Sequence, residues 1–297
     1  MTYDLIVTSA ARPHLLKATL ASLLAQVDQP PARILIHDDA AFDPGTVMAT
    51  HRWMQMKAML SELVLPCEAL LTHADPPRRL GLALVWLLAN VTSDYVLYSQ
   101  DDFVTVRDLP IRRALAVMDE YRAHQIRFNK RATLGQKDTW QGIWKKKEFP
   151  VYTDAGAAET LTVADHWYFQ TGLWRVSTIR AALAWLTATS ERTALFAAAP
   201  AEEAINRVLD GEYGPIPGLT VPHNRWQARD ANNRAQVQRT FIWGPIGTDR
   251  YIRHIGTDPA DFAGDHARED AETAQGREKT QQAWDEIATY QPKPREA

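Results

Sequence analysis

Four times in the first 125 residues a short apolar run is followed by a stretch with apolar residues at helical spacing. The apolar runs are Tyr3 to Thr8, Ala32 to His37, Cys67 to Thr72 and Tyr95 to Ser99. The helical stretches are His14 to Gln26, Thr46 to Leu65, Leu80 to Asn90 and Leu109 to His124. Strands that alternate with helices in this way predict βαβ units around a mostly parallel sheet. Ligands of such sheets sit beyond the carboxyl ends of the strands. Here those ends carry Thr8 and Ser9, then Asp38 and Asp39, then Gln100, Asp101 and Asp102. The pattern therefore predicts one polar edge fed by three separate strands.

After residue 125 the pattern loosens. Tyr168 to Val176 reads as a strand, and Ser177 to Thr187 and Pro200 to Asp210 read as helices. Gly211 to His223 is rich in Gly and Pro and reads as loop. Arg239 to Ile255 has room for a last strand, and residues 258 to 297 are polar and acidic.

Composition removes several classes. Cys67 is the one cysteine, so neither an internal disulfide nor a cysteine-based zinc site is available, which favours a reducing compartment. No run of 18 apolar residues occurs, so no membrane span is expected. The start, MTYDLIVTSAARP, reads as a first strand rather than a signal peptide, and a cytoplasmic location is the expectation. A net charge of −3 neither demands nor excludes a polyanionic partner. The ten tryptophans suit core filling and flat sugar or base pockets alike.

The strongest chemical feature is Asp101-Asp102 directly after an apolar strand. Adjacent carboxylates repel unless something neutralises them. A solvated acidic turn is the plain explanation. A hard divalent cation is the functional one, because it also bridges phosphate oxygens and stabilises a departing diphosphate.

VTSAARPHLLKATLASLLAQ, then ILIHDDA, then GLALVWLLANVTSDYVLYSQDDF, as an ordered set, resemble the nucleotide-sugar-binding half of family-2-type glycosyltransferases. The resemblance covers roughly residues 3 to 120. It implies the GT-A fold, an α/β nucleotide-diphospho-sugar transferase fold with a mostly parallel central sheet flanked by helices. It implies that Thr8, Ser9 and Arg12 line the nucleotide, and that Asp38 and Asp39 hold the base or ribose. Gln100-Asp101-Asp102 occupies the place of the family's DXD-type motif, with Asp101 on the ribose or sugar and Asp102 on Mn²⁺ or Mg²⁺. The chain departs from the family after Gly81, where LALVWLL lacks the usual Ala-Arg-Asn; Arg78 or Arg79 just upstream is the substitute.

Two later groups fit the same resemblance. Glu202-Glu203 in PAEEAINRVLDGEYG is similar to the acidic pair that opens a helix and supplies the catalytic base, with Glu203 preferred. Acids also favour a first helical turn through the dipole alone. His254 in RHIGTD resembles the late histidine that closes the metal site, and a structural histidine is the alternative. Asp165-His166 is a weaker candidate for shaping an acceptor site, and Trp174 is either core or a sugar-stacking floor. On this reading residues 1–125 form the nucleotide-sugar-binding half, 126–257 the acceptor-binding and catalytic half of the same domain, and 258–297 an acidic C-terminal extension.

The expected activity is metal-dependent, inverting transfer of a sugar from a nucleotide-diphosphate sugar, UDP-linked by preference, to a hydroxyl of a glycan or other biopolymer. One alternative acceptor is a hydroxylated or hydroxymethylated DNA base, as in phage-type DNA glycosylation in a host cytoplasm. The basic aromatic stretches RFNKRATLGQKDTWQGIWKKKEF and HNRWQARDANNRAQVQR suit that acceptor, and a solvated basic face explains them as well. A nucleotidyltransferase would need a Gly-rich triphosphate loop, and TSAARPH has no glycine. A non-catalytic nucleotide-sugar-binding module is the alternative of another class. Donor sugar and oligomeric state are not encoded in any motif.

Overall fold

The structure, a computed structural model, describes residues 1–10, 12–38, 47–73, 79–129, 148–152, 158–163, 167, 169–209, 240–244 and 251–255. Within them lies a nine-stranded sheet of order β3-β2-β1-β4-β9-β6-β10-β8-β7. Its strands are β1 (Tyr3–Ser9), β2 (Ile34–Asp38), β3 (Ala69–His73), β4 (Tyr95–Gln100), β6 (Gln125–Phe128), β7 (Glu148–Tyr152), β8 (Ala158–Val163), β9 (Gly172–Arg175) and β10 (Thr240–Trp243). The helices are α1 (Pro13–Gln26), α2 (Val47–Glu62), α3 (Arg79–Asn90), α4 (Ile111–Glu120), α5 (Val176–Leu186), α6 (Ser190–Ala198) and α7 (Ala201–Leu209).

The first four strands of the order, β3-β2-β1-β4, are parallel throughout, as the βαβ pattern requires. β9 then pairs antiparallel with both β4 and β6, so β6 runs the same way as β4. The C-terminal ends of β1, β2, β3, β4 and β6 therefore share one edge of the sheet.

Both faces of the central strands are buried, which explains why β1 and β4 read as continuous apolar runs. Tyr3, Leu5 and Val7 pack with α1, α2 and α4 on one face. Ile6, Val96, Tyr98 and Trp174 pack with α3, α5 and α7 on the other. Gly81 lets α3 approach α6, since a Cβ there would lie 2.7 Å from the Phe196 ring. Gly172 does the same between β9 and β6, where a Cβ would lie 2.8 Å from backbone atoms of Ile126 and Arg127.

Arginines from the β9–α5 segment satisfy the orphan carbonyls that helices leave at their C-termini. Arg175 donates to the carbonyls of Met118 and Ala123, and Arg180 to those of Leu88 and Val91. The helix expected over Leu109 to His124 is shorter at both ends. Pro110 precedes its first turn, and Arg122, at φ 50°, closes it in a left-handed cap. In that cap the Arg122 amide bonds the Asp119 carbonyl and the Ala123 amide bonds that of Met118.

The last stretch yields two strands rather than one. β10 joins the large sheet, while β11 (Ile252–His254) pairs antiparallel with β5 (Phe103–Thr105) in a separate ribbon. The strand expected over Tyr168 to Val176 is limited to β9. Among the described residues no helix is long and apolar enough to cross a membrane.

Candidate active site

Asp101 and Asp102 lie between β4 and β5, at the carboxyl edge. The Asp101 amide bonds the Thr8 carbonyl at 3.0 Å, which prolongs the β1–β4 ladder by one step and fixes the turn. Thr19 on α1 donates its hydroxyl to the Asp101 carbonyl at 2.8 Å, and Ser22, one turn later, accepts the Thr105 amide at 3.1 Å. Both are buried polar residues on the face of α1 that meets β5. Sequence reading passed over them as part of an amphipathic helix. Their signal is a pair of small hydroxyls at i and i+3 on an otherwise apolar face.

Asp101 is enclosed by donors. Its carboxylate accepts the Ser9 hydroxyl at 2.8 Å, the Ala10 amide at 3.1 Å and Arg12 Nε at 3.1 Å, while Arg12 Nη2 reaches its other oxygen. Arg12 stands at the N-cap position of α1, where Pro13 starts the helix, so its side chain is held over the end of β1. Burial raises the Asp101 carboxyl above its ordinary value, against the pull of Arg12 and of the Ser9 hydroxyl.

Asp102 is different. One of its oxygens, Oδ2, lies 3.2 Å from His254 Nε2 and 3.3 Å from Arg12 Nη2. The other, Oδ1, is buried with no hydrogen-bond partner among the described residues. Burial pushes this carboxyl up too, but the His254 hydrogen bond and the Arg12 charge outweigh it and hold it below the usual carboxylate range.

His254 reaches Asp102 through the β5–β11 ribbon, although 152 residues separate them. His254 is in register with Phe103, and the Ile255 amide bonds the Asp102 carbonyl at 2.8 Å. The ribbon is tied in turn to β6, because the Tyr251 amide bonds the Asn129 carbonyl at 2.7 Å.

The remaining neighbours come from the helical face. Thr8 Oγ1 lies 3.2 Å from the Tyr98 hydroxyl, and burial pushes that phenol well above its ordinary value, with the charges of Asp102 and Glu202 adding to the rise. Glu202 sits in the first turn of α7, half-buried, and accepts the Phe169 amide at 3.1 Å. Glu203, one residue on, is exposed. Trp174 is fully buried and stacks on Tyr98 with ring centroids 4.2 Å apart, so it is core and not an exposed floor.

Asp38 ends β2 beside Ser9 of β1 and is buried. Arg79 begins α3. Asp39, Arg78, Asp165, His166, the side chain of Arg79 and most of both basic aromatic stretches lie outside the described residues. The structure thus brings together Thr8, Ser9, Arg12, Asp101, Asp102 and His254, with Asp38 two strands away from β4 and Glu202 in the first turn of α7.

The donor set suits a hard divalent cation. It offers one carboxylate oxygen without a partner among the described residues and an imidazole nitrogen beside the other oxygen. Among the described residues no three His, Cys, Asp or Glu side chains gather to hold a metal by themselves. A cation here would take its other ligands from phosphate oxygens and water, as Mg²⁺ commonly does. Arg12 already neutralises part of the paired negative charge, so the acidic pair is stable before any cation arrives.

No family model and no curated protein sequence matches the chain. Among solved structures, the Pyrobaculum calidifontis mannosyltransferase PcManGT, in complex with GDP-Man and Mn²⁺, is similar over 99% of this chain and 76% of its own, at 14% identity and a TM-score of 0.44. Mouse xyloside xylosyltransferase 1 is similar over 89% of this chain and 100% of its own, at 12% identity and a TM-score of 0.43. S. aureus TarS is similar over 61% of this chain, at 14% identity and a TM-score of 0.39, and the match spans only 30% of TarS. Similarity at this level leaves the geometry of the site to carry the functional reading.

Proposed function

We propose that this chain is a metal-dependent glycosyltransferase that moves a sugar from a nucleotide-diphosphate sugar to an acceptor hydroxyl, with inversion. The observation that carries the proposal is Asp102 Oδ1, a buried carboxylate oxygen without a partner among the described residues, beside Arg12 and His254 at the carboxyl edge of a parallel sheet. Buried polar atoms without partners are costly, and at such an edge the missing partner is a ligand.

Asp102 and His254 would hold Mn²⁺ or Mg²⁺. Such an ion, once bound, supplies charge neutralisation for a departing diphosphate. The chain's own groups do the rest. Arg12, Ser9 and the Ala10 amide hold Asp101 in place, and Asp101 would lie on the ribose or sugar side of the donor. We assign the base to Glu202 rather than to exposed Glu203. Its carboxylate is anchored by the Phe169 amide, and its charge bears on the same Tyr98 hydroxyl as that of Asp102. In a single displacement Glu202 takes the proton of the acceptor hydroxyl. The acceptor oxygen then bonds the anomeric carbon as the bond to the diphosphate oxygen breaks on the opposite face.

The test is a thermal-shift panel of UDP, GDP, CMP and dTDP sugars, with and without Mn²⁺, on wild type and Asp102→Ala. A stabilisation that needs both one nucleotide sugar and the metal, and that vanishes in the variant, is the expected result. Stabilisation without any sugar transfer to a panel of hydroxyl acceptors would mark a binding module. No stabilisation by any nucleotide would overturn the proposal.

A further inference from the structure

Two side chains of α7, one turn apart, grip the same stretch of chain. Glu202 and Asn206 are four residues apart, so both leave one face of the helix. Glu202 Oε2 accepts the Phe169 amide at 3.1 Å. Asn206 Oδ1 accepts the Trp167 amide at 2.7 Å, and Asn206 Nδ2 donates to the Trp167 carbonyl at 2.8 Å and to the Glu202 carbonyl at 2.9 Å. Trp167 and Phe169 are buried, and Asn206 is half-buried.

A carboxamide is the side-chain counterpart of a peptide group, with donor and acceptor side by side. Here it pairs with both main-chain groups of Trp167, as a neighbouring strand would. Its orientation follows from those partners, because an amide N–H only donates and a carbonyl only accepts. Helix propensity does not account for the residue, since Asn is a poorer helix former than Ala. Further along, the gripped stretch joins the site. The Phe169 ring lies 5.7 Å from the Tyr98 ring between centroids, and Thr171 Oγ1 lies 2.9 Å from Ser99 Oγ on β4. β4 runs directly into Asp101 and Asp102. The Phe169 amide locates the Glu202 carboxylate, and Asn206 locates the chain just before that amide.

We infer that Asn206 is a positioning residue for the proposed base: by pinning both main-chain groups of Trp167 to α7 it fixes the Phe169 amide, and with it the place of the Glu202 carboxylate. The inference rests on the proposed function and deepens it by naming what sets the base. Asn206 acts through Glu202 and touches neither donor nor acceptor. A reacting group displaced by about 1 Å can lose on the order of a hundredfold in rate, so a loosened clamp is read in turnover and not in donor affinity.

The test is metal-dependent release of nucleoside diphosphate by the full chain from UDP, GDP and dTDP sugars, with water and free monosaccharides as acceptors. Asn206→Ala, Glu202→Gln and the double variant are compared with wild type, and donor Kd is measured by calorimetric titration with Mn²⁺ present. Asn206→Ala is expected to lower kcat per folded molecule roughly tenfold, with donor Kd within about twofold of wild type. In the Glu202→Gln background the same substitution is expected to cost less than about twofold, because residues that act as a unit are not additive. Asn206→Gln keeps donor and acceptor on a longer stem and is expected to lose less than Asn206→Ala. A loss as large in Asn206→Gln would overturn the part of the carboxamide. An equal loss from Asn206→Ala in both backgrounds would make Asn206 merely structural and overturn the inference, as would wild-type turnover in Asn206→Ala. Either result leaves the proposed function standing where Glu202→Gln is impaired. Wild-type turnover in Glu202→Gln would remove the base assignment and the inference with it. Absence of release by wild type from every donor would remove the proposed function and the inference together.

Discussion

Two aspartates stand at opposite ends of the same central strands, both buried, and they are finished differently. Asp4, near the start of β1, has every oxygen occupied. Its Oδ2 accepts Arg33 Nη2 at 2.9 Å and the Thr92 amide at 2.9 Å, and its Oδ1 accepts the Ser93 hydroxyl at 3.0 Å. Asp102, just past β4, shares one oxygen between His254 and Arg12, and its other oxygen has no partner among the described residues. The first arrangement ties β1 to β2 and to the loop that enters β4, and each of its oxygens has a protein donor. The second carries an unmet acceptor at the edge where ligands of parallel sheets bind. Burial is common to both carboxylates, and completeness of hydrogen bonding among the described residues is what differs between them.

The largest effects should fall on Asp102. Asp102→Asn keeps the shape and removes the charge. Sugar transfer is expected to fall about a thousandfold, in line with loss of a central electrostatic group. The melting temperature is expected to move by no more than about 4 °C, because no completed network is broken. Transfer at the wild-type rate would return Asp102 to the structural class. Glu202→Gln comes next, with a loss of roughly a hundredfold in turnover, while Glu203→Gln stays near wild type. The reverse order in these two variants would move the base to the exposed carboxylate.

Much of this contrast was legible in the sequence at one end of the sheet and not at the other. The carboxyl edge is legible because strand periodicity and polar strand ends coincide at Ser9, Asp38 and Asp101-Asp102. Arg12 enters the sequence reading through the resemblance alone, and its place at the N-cap before Pro13 is seen in the structure. Asp4 gave no signal, because one acid inside YDLIVTS carries no period of its own, and its partners Arg33, Thr92 and Ser93 are scattered. The resemblance points to His254, and the ribbon that brings it to Asp102 has no signal in the sequence, since β5 and β11 are three residues each. The sequence offers both Glu202 and Glu203, and the resemblance favours Glu203. Adjacent positions in a first turn differ in direction by about 100°, and only packing against Phe169 decides which one turns inward.

Asp4 sharpens the comparison from the structural side. Asp4→Asn replaces a buried acceptor of charge-assisted bonds with an amide that cannot satisfy the same donors. The expected cost is about 3 kcal/mol in denaturant unfolding, with transfer per folded molecule unchanged. A matching loss of turnover in fully folded protein would mean that the amino end of the sheet also tunes the site.

The smallest effect is the pH dependence of that same carboxylate, and its sign distinguishes an ionic staple from a merely polar one. Burial raises the Asp4 carboxyl, but the Arg33 hydrogen bond, the Thr92 amide and the Ser93 hydroxyl outweigh it, so its folded value lies below the ordinary one. A group depressed on folding stabilises fully above its unfolded value, near pH 4, and loses that contribution as pH falls through the folded value. The stability gap between wild type and Asp4→Asn should therefore be widest at neutral pH and narrow steadily on the acid side. Unfolding curves at pH 7, 5 and 3 read this directly. A gap that stays constant over that range would mean that Asp4 holds β1 to its neighbours by shape and neutral hydrogen bonding, and that its charge adds nothing to the staple.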